Sequence, residues 1–389
     1  MNIINEEKKD KILNISFNQD NSLLSVSTEN GFFIYGTQPP KKKQERRMDG
    51  GISNCEMLYR TNLLALIGGG EVPKYNPSKL IIWDDKQNNV ISEIKFFSNI
   101  KNVKLKKNKI FCILENNIYV FDLDTLENTE IIPTRLNPKG LFGINNNEDK
   151  TVIAYLPKLN DKNILKGSII IKNYDKGKAR EINAHDDLIS CISLNNDGTL
   201  LATSNEKGII IRIHSCLNGD LLSQFKRGME KVEINYICFD NLNNYLAATS
   251  DKGTIHIWSL NKVVENLKNI RKNGNTLGVG KNVINNNENF IKSQNDKDNN
   301  NNKLCEIIDD EQETIEINNL PTNKKTILGK AEKSFARIKL TSNSICSFQK
   351  DNIIFVATYD GMYYKALLDT KNGGHCKIIL QDYLSNLKK

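Results

Sequence analysis

"CISLNNDGTLLATSNEKGIIIRIHS", residues 191–215, holds three apolar runs separated by two different turns. The first break, "NNDG", is polar. The second, "NEKG", is tight and ends on Gly208, a residue type that accepts a positive φ without steric penalty. Short runs rich in Ile, Leu and Thr, bounded by Asn, Asp and Gly, predict antiparallel strands. The same order recurs in "ISFNQDNSLLSVSTENGFFIYGT" (15–37), "ICFDNLNNYLAATSDKGTIHIWSL" (237–260) and "CSFQKDNIIFVATYDGMYYKALL" (346–368), with Gly31, Gly253 and Gly361 in the place of Gly208. Weaker copies occupy 55–85, 103–123 and 140–175.

That makes seven copies, and where nothing interrupts them they repeat every 40–46 residues or so, roughly the period of WD40-type propeller blades. One small antiparallel sheet cannot bury both of its faces alone, so copies stack radially until the ring closes. The expected fold is all-β: a single seven-bladed, WD40-like β-propeller over 1–389. It is a divergent one, because most copies lack a Trp-Asp ending and "IIWDD" at 81–85 is a partial instance. Residues 261–326 are rich in Asn, Lys and Asp and are expected to be a disordered insertion within the sixth blade, after which "SFARIKL" (334–340) supplies that blade's outer strand. Within the insertion, "KVVENLKNIRK" (262–272) sets Val263, Val264, Leu267 and Ile270 at helical spacing against Lys262, Lys268, Arg271 and Lys272. That pattern suits a helix lying in a membrane interface; the competing reading is a fraying piece of loop.

With 39% hydrophobic residues among 389, the chain can bury a substantial core. Its start, "MNIINEEKKD", is polar, and no run is apolar enough to span a bilayer, so a cytoplasmic protein is expected. Eight scattered cysteines without C-x-x-C pairs read as reduced, mostly buried thiols. The net charge of +8 favours an anionic partner, yet it is diffuse, and "PPKKKQERR" (39–47) and "KNVKLKKNK" (101–109) read as solvated loop faces. Four dispersed histidines make no metal cluster, and His214 and His375 are given packing or surface roles. No nucleophile elbow, Walker loop or paired-carboxylate motif appears, so neither an enzyme nor a cofactor is expected; nor is nucleic acid, since no basic stripe is interleaved with aromatics.

One short stretch stands out for function. "FKRG" (225–228) sets Lys226 and Arg227 side by side at the end of a strand, where successive side chains point to opposite faces. Each cation is therefore expected to serve a different pocket, with Phe225 anchoring the strand and Gly228 letting the backbone turn away. The flanking repeats offer His185, Thr203, Ser204, Lys207 and Arg212 on one side and Thr249, Ser250, Lys252, Thr254 and His256 on the other. Hydroxyls, turn N–H groups and cations together can hold phosphate groups without performing chemistry on them.

These residues, with "ENGFFIY" (29–35), "EMLYRTNLLALIGGGEVPKYNPSKLIIWDD" (56–85), "NPKGL" (137–141) and "AHDDLISCISLNNDGTLLATSNEKG" (184–208), resemble the phosphoinositide-binding β-propellers called PROPPINs, which include the WIPI proteins of autophagy. "FKRG" stands where that family's Phe/Leu-Arg-Arg-Gly is expected. The resemblance implies a peripheral, monomeric membrane protein that binds phosphatidylinositol 3-phosphate and phosphatidylinositol 3,5-bisphosphate at two sites. The first would use His185, Ser204, Lys207, Arg212 and Lys226; the second Arg227, Ser250, Thr254 and His256. It further implies an autophagy lipid-transfer or scaffold protein as partner, met on the second- and third-blade face, autophagosomal, endosomal or vacuolar membranes as the location, and a bilayer-contacting loop in the sixth blade. Lys226 lacks the planar fork of the usual arginine, and Ile209 replaces the usual hydroxyl residue, so the second site is expected to be the stronger. The alternative is an interaction scaffold without specific lipid binding.

Overall fold

The computed structural model describes residues 10–158, 166–276 and 331–388. Its strands form seven sheets, each built on an antiparallel meander of four strands running from the innermost outward, and the sheets of blades five and six each carry a short fifth strand in parallel at the outer edge. Blade one is Ile12–Phe17, Leu23–Thr28, Gly31–Thr37 and Pro40–Arg47; blade five is Ile189–Leu194, Leu200–Asn205, Ile210–Ser215 and Leu221–Lys226. Blade six is Ile234–Phe239, Tyr245–Ser250, Thr254–Ser259 and, after the long excursion, Ala336–Lys339, which pairs with Thr254–Ser259 as the sequence suggests. Blade seven closes the series with Ser344–Phe348, Ile353–Thr358, Met362–Leu367 and Lys377–Tyr383.

The ring follows from where apolar side chains lie. Second strands such as Leu63–Gly68 are buried on both faces because a neighbouring blade covers each, whereas outer strands such as Lys178–His185 are largely exposed. Every seam between adjacent blades holds its own apolar cluster, including the closing one, where Phe17, Val26 and Phe33 of blade one meet Ile345, Phe355 and Tyr363 of blade seven. Burial is thus shared between neighbours, and no blade is complete without the next. Gly31, Gly208, Gly253 and Gly361 all have positive φ at their turns, as their repeat position requires.

Three expectations need correction. "KNVKLKKNK" is not a solvated loop: Asn102–Lys106 is the innermost strand of blade three, where Lys104 pairs with Glu56 at 2.8 Å and Lys106 is buried against the Asn145 and Asn147 carbonyls. "PPKKKQERR" is likewise mostly strand, Pro40–Arg47, and its Arg46 bonds Asp85 of blade two at 2.8 Å. The residues Asn261–Thr276 do form a helix, but its apolar side faces the protein: Val263 and Leu267 are 1% and 6% exposed and belong to the cluster between blades five and six. An apolar stripe packed into that seam is not free to enter a bilayer. The rest of the Asn-rich stretch, 277–326, lies outside the described residues.

Candidate functional site at the seams around blade five

The strand Leu221–Lys226 pairs with Ile210–Ser215, with Phe225 opposite Ile211, Lys226 opposite Ile210 and Gln224 opposite Arg212. Phe225 is 1% exposed and stacks on Trp258 of blade six, 5.6 Å between ring centroids and 23° between planes. Alternation then puts Arg227 on the blade-six side and Lys226, with Gln224 and Arg212, on the blade-four side. The two cations do part, as the motif predicts. Gly228 has no role in this: its φ is not positive and an added Cβ would meet nothing within 4 Å, so the chain leaves the strand without glycine's freedom.

On the blade-four side, the Arg212 guanidinium donates from Nη1 to the Ala184 carbonyl at 2.9 Å and from Nε to Gln224 Oε1 at 3.2 Å. His185, at the end of blade four, is buried, with Nε2 3.0 Å from Thr203 Oγ1. Burial, then the positive Arg212 and His214 nearby, push its pKa down to about 3, so the ring is neutral at physiological pH. Lys207 pairs with Asp187 at 2.9 Å. Arg212, Lys207 and Lys226 reach the surface, and the Lys226 ammonium has no hydrogen-bond or ion-pair partner among the described residues.

Ser204 does not join this group. It pairs with Cys191 and Ile211, on the face opposite Thr203 and Arg212, and is fully buried with its hydroxyl donating to the Asn205 carbonyl at 3.2 Å. The cause is where each serine stands relative to the turn glycine. Gly208 N–H bonds the Asn205 carbonyl and Gly253 N–H bonds the Ser250 carbonyl, so Asn205, and not Ser204, is the counterpart of Ser250. Ser204 stands four residues before its glycine and Ser250 three, and a displacement of one residue along a strand exchanges its faces. Thr203 is thus the hydroxyl on the Arg212 side; counting to the glycine would have found it.

On the blade-six side, Arg227 donates through its backbone N–H to the Ile209 carbonyl at 2.8 Å, through Nε to the Gly208 carbonyl at 3.1 Å, and through Nη2 to the Glu230 carbonyl. Thr249 opposes Ile255, which puts Ser250 opposite Thr254, while His256 opposes Ala248. Ser250, Thr254 and His256 therefore share one face, the same that carries Trp258 toward Phe225. Ser250 is buried; Thr254 and His256 are partly exposed. His256 stacks on Trp258 at 5.8 Å, with Nδ1 3.2 Å from Ser334 Oγ. Burial and then Arg227 and Arg337 depress its pKa to about 4. Ser334 and Arg337 come from beyond the excursion, too far along the chain for spacing to reveal them.

The PROPPIN family model matches residues 12–298. The chain belongs to the PROPPIN family. This PROPPIN is 36% identical to Autophagy-related protein 18e of Arabidopsis thaliana over 259 residues, 66% of this chain and 68% of the relative. It is 30% identical to Autophagy-related protein 18 of Yarrowia lipolytica over 421 residues, 96% of each. Among solved structures, Kluyveromyces lactis Hsv2 superposes with a TM-score of 0.69 at 22% identity, over 96% of this chain and 99% of that one. A complex of KlAtg21 with the coiled-coil of AgAtg16 superposes with 0.68 at 21% identity, with the same coverage. Both support the propeller fold. Among the described residues of this PROPPIN, no helix is long and apolar enough to cross a membrane.

Proposed function

We propose that this PROPPIN is a non-enzymatic, peripheral membrane effector that binds phosphatidylinositol 3-phosphate and phosphatidylinositol 3,5-bisphosphate at two rim sites flanking "FKRG" and recruits autophagy or endosomal partners. The observation that carries this reading is the divergence of Lys226 and Arg227 from one strand onto two faces, each with hydroxyl, histidine and cationic side chains around it. Neither patch holds the paired acid and base that bond-breaking chemistry needs; both have donors for phosphate oxygens. One cation near an anionic bilayer contributes only about 1 kcal/mol. Two sites on one rigid rim act together, since capture of the first lipid raises the effective concentration of the second. The relatives' names support service in autophagy, and the coiled-coil bound by a structural neighbour supports a protein partner.

The test is liposome co-flotation across all phosphoinositide isomers, comparing wild type with a Lys226→Thr/Arg227→Thr double variant. Binding confined to 3-phosphorylated lipids and lost in the variant is expected. Equal binding to every isomer, or none, would leave a charged scaffold propeller. Of the single variants, Arg227→Ala is expected to cost more binding than Lys226→Ala, because the arginine fork grips a phosphate in two places.

A further inference from the structure

The chain leaves blade six after Ser259 and rejoins it at Ala336, and both ends of that excursion are fastened to the strand Leu221–Lys226. At the exit, Val263 and Leu267 pack in the cluster that contains Phe225. At the return, Glu332–Lys333 runs beside that strand as a fifth, parallel strand of blade five, with Glu332 opposite Phe225 and Lys333 opposite Lys226.

Register partners on neighbouring strands share a face of the sheet. Glu332 accordingly lies on the blade-six side, and its carboxylate is 3.4 Å from the ammonium of Lys262 on the helix. Lys333 lies on the other side, with Lys226, Gln224 and Arg212. Like charges directly opposite each other destabilise a sheet, yet neither Lys226 nor Lys333 has an ion-pair or hydrogen-bond partner among the described residues. Of the nearby carboxylates, Asp187 is already bound by Lys207 at 2.9 Å, and Asp186 acts on Arg212 and Lys207. The sheet thus brings two uncompensated ammonium groups together beside a guanidinium whose Nη1 and Nε are fixed by protein acceptors.

We propose that Lys333 is a binding residue of the first site. With Lys226 and Arg212 it receives a phosphate monoester of an inositol headgroup, and the bound anion relieves the repulsion between the two lysines. The proposal rests on the phosphoinositide reading above and extends it: the returning end of the excursion supplies part of the site. It also explains how the site works with Lys226 in place of an arginine, since two ammonium groups restore the donors that one lacks.

The test uses the full chain carrying Arg227→Thr, which removes the second site, titrated with water-soluble dibutanoyl phosphatidylinositol 3-phosphate, with phosphatidylcholine vesicles containing the long-chain lipid, and with inorganic phosphate. Lys333→Ala is expected to weaken headgroup binding about fivefold, the effect of one cation beside an anion, and to flatten its salt dependence. Lys333→Arg should restore both, and Glu332→Gln, on the other face, should change neither. Binding unchanged by Lys333→Ala, or lost equally in Glu332→Gln, would overturn the role of Lys333 while leaving lipid binding standing. So would loss of all binding on Arg227→Thr alone. Binding of inorganic phosphate as tightly as the headgroup would assign the lysines to free phosphate and overturn the headgroup assignment. A wild-type chain that binds no phosphoinositide would overturn both readings together.

Discussion

Phe225 and Trp258 stack across the seam between blades five and six, 5.6 Å apart at 23°, and Arg227, two residues on, shares the face of the strand that this stack holds against blade six. Trp258 continues the aromatic column to His256 at 5.8 Å, so one line of rings joins the anchor of the motif to a candidate lipid-facing histidine. Core packing and the candidate site are one structure here, and mutations should show it.

Phe225→Ala should destabilise the protein by about 3–5 kcal/mol, the range for emptying a buried aromatic position. Phe225→Leu, which keeps most of the volume, should cost much less. Chemical denaturation of the three proteins checks this; equal midpoints would mean the ring is not a seam anchor.

Glycine should matter at the turn and not in the motif. A Cβ on Gly208 would lie 2.1 Å from the Val232 carbonyl oxygen, and its φ is +62°, so Gly208→Ala should lower the melting temperature clearly. Gly228→Ala should leave it unchanged, because that Cβ meets nothing.

Thr203 and Ser204 should separate. Thr203→Val leaves His185 Nε2 without its partner at 3.0 Å, an unpaired buried group worth roughly 1–3 kcal/mol. It should also weaken first-site binding by releasing the ring that lies behind Arg212. Ser204→Ala faces the other seam and should leave headgroup titrations as in wild type.

Acid should unfold this propeller through its histidines. His185 and His214 are pushed down to about 3 and His256 to about 4, all by burial first and nearby arginine next. Each is neutral when folded and titrates near its ordinary 6.5 when unfolded, so the unfolded chain takes up more protons in between. Their contribution is fully present above pH 6.5 and is lost progressively as the pH falls toward 4 and then 3. Denaturation midpoints should drop across that window, and His214→Gln should flatten the drop. A wild-type midpoint independent of pH there would contradict the buried, neutral assignment.

The repeats determined the architecture without the structure. Strand periodicity, turn glycines and a blade-length spacing are local properties, and seven copies of a sheet that cannot cover itself have few ways to close. The parting of Lys226 and Arg227 was also legible, because side-chain alternation is a property of the strand itself. What faces each cation was decided only by tertiary structure. Ser204 lies one residue further from its turn glycine than Ser250 does, which turns it to the other seam and leaves Thr203 on the side of Arg212. The apolar stripe of the helix Asn261–Thr276 has the same spacing whether it meets lipid or protein, and the apolar cluster between blades five and six settled the matter by burying Val263 and Leu267. Lys333 reached Lys226 because a segment more than a hundred residues further on happens to pair with its strand. Register between distant segments depends on which edges the completed ring leaves open, and that is not encoded in any one stretch of chain.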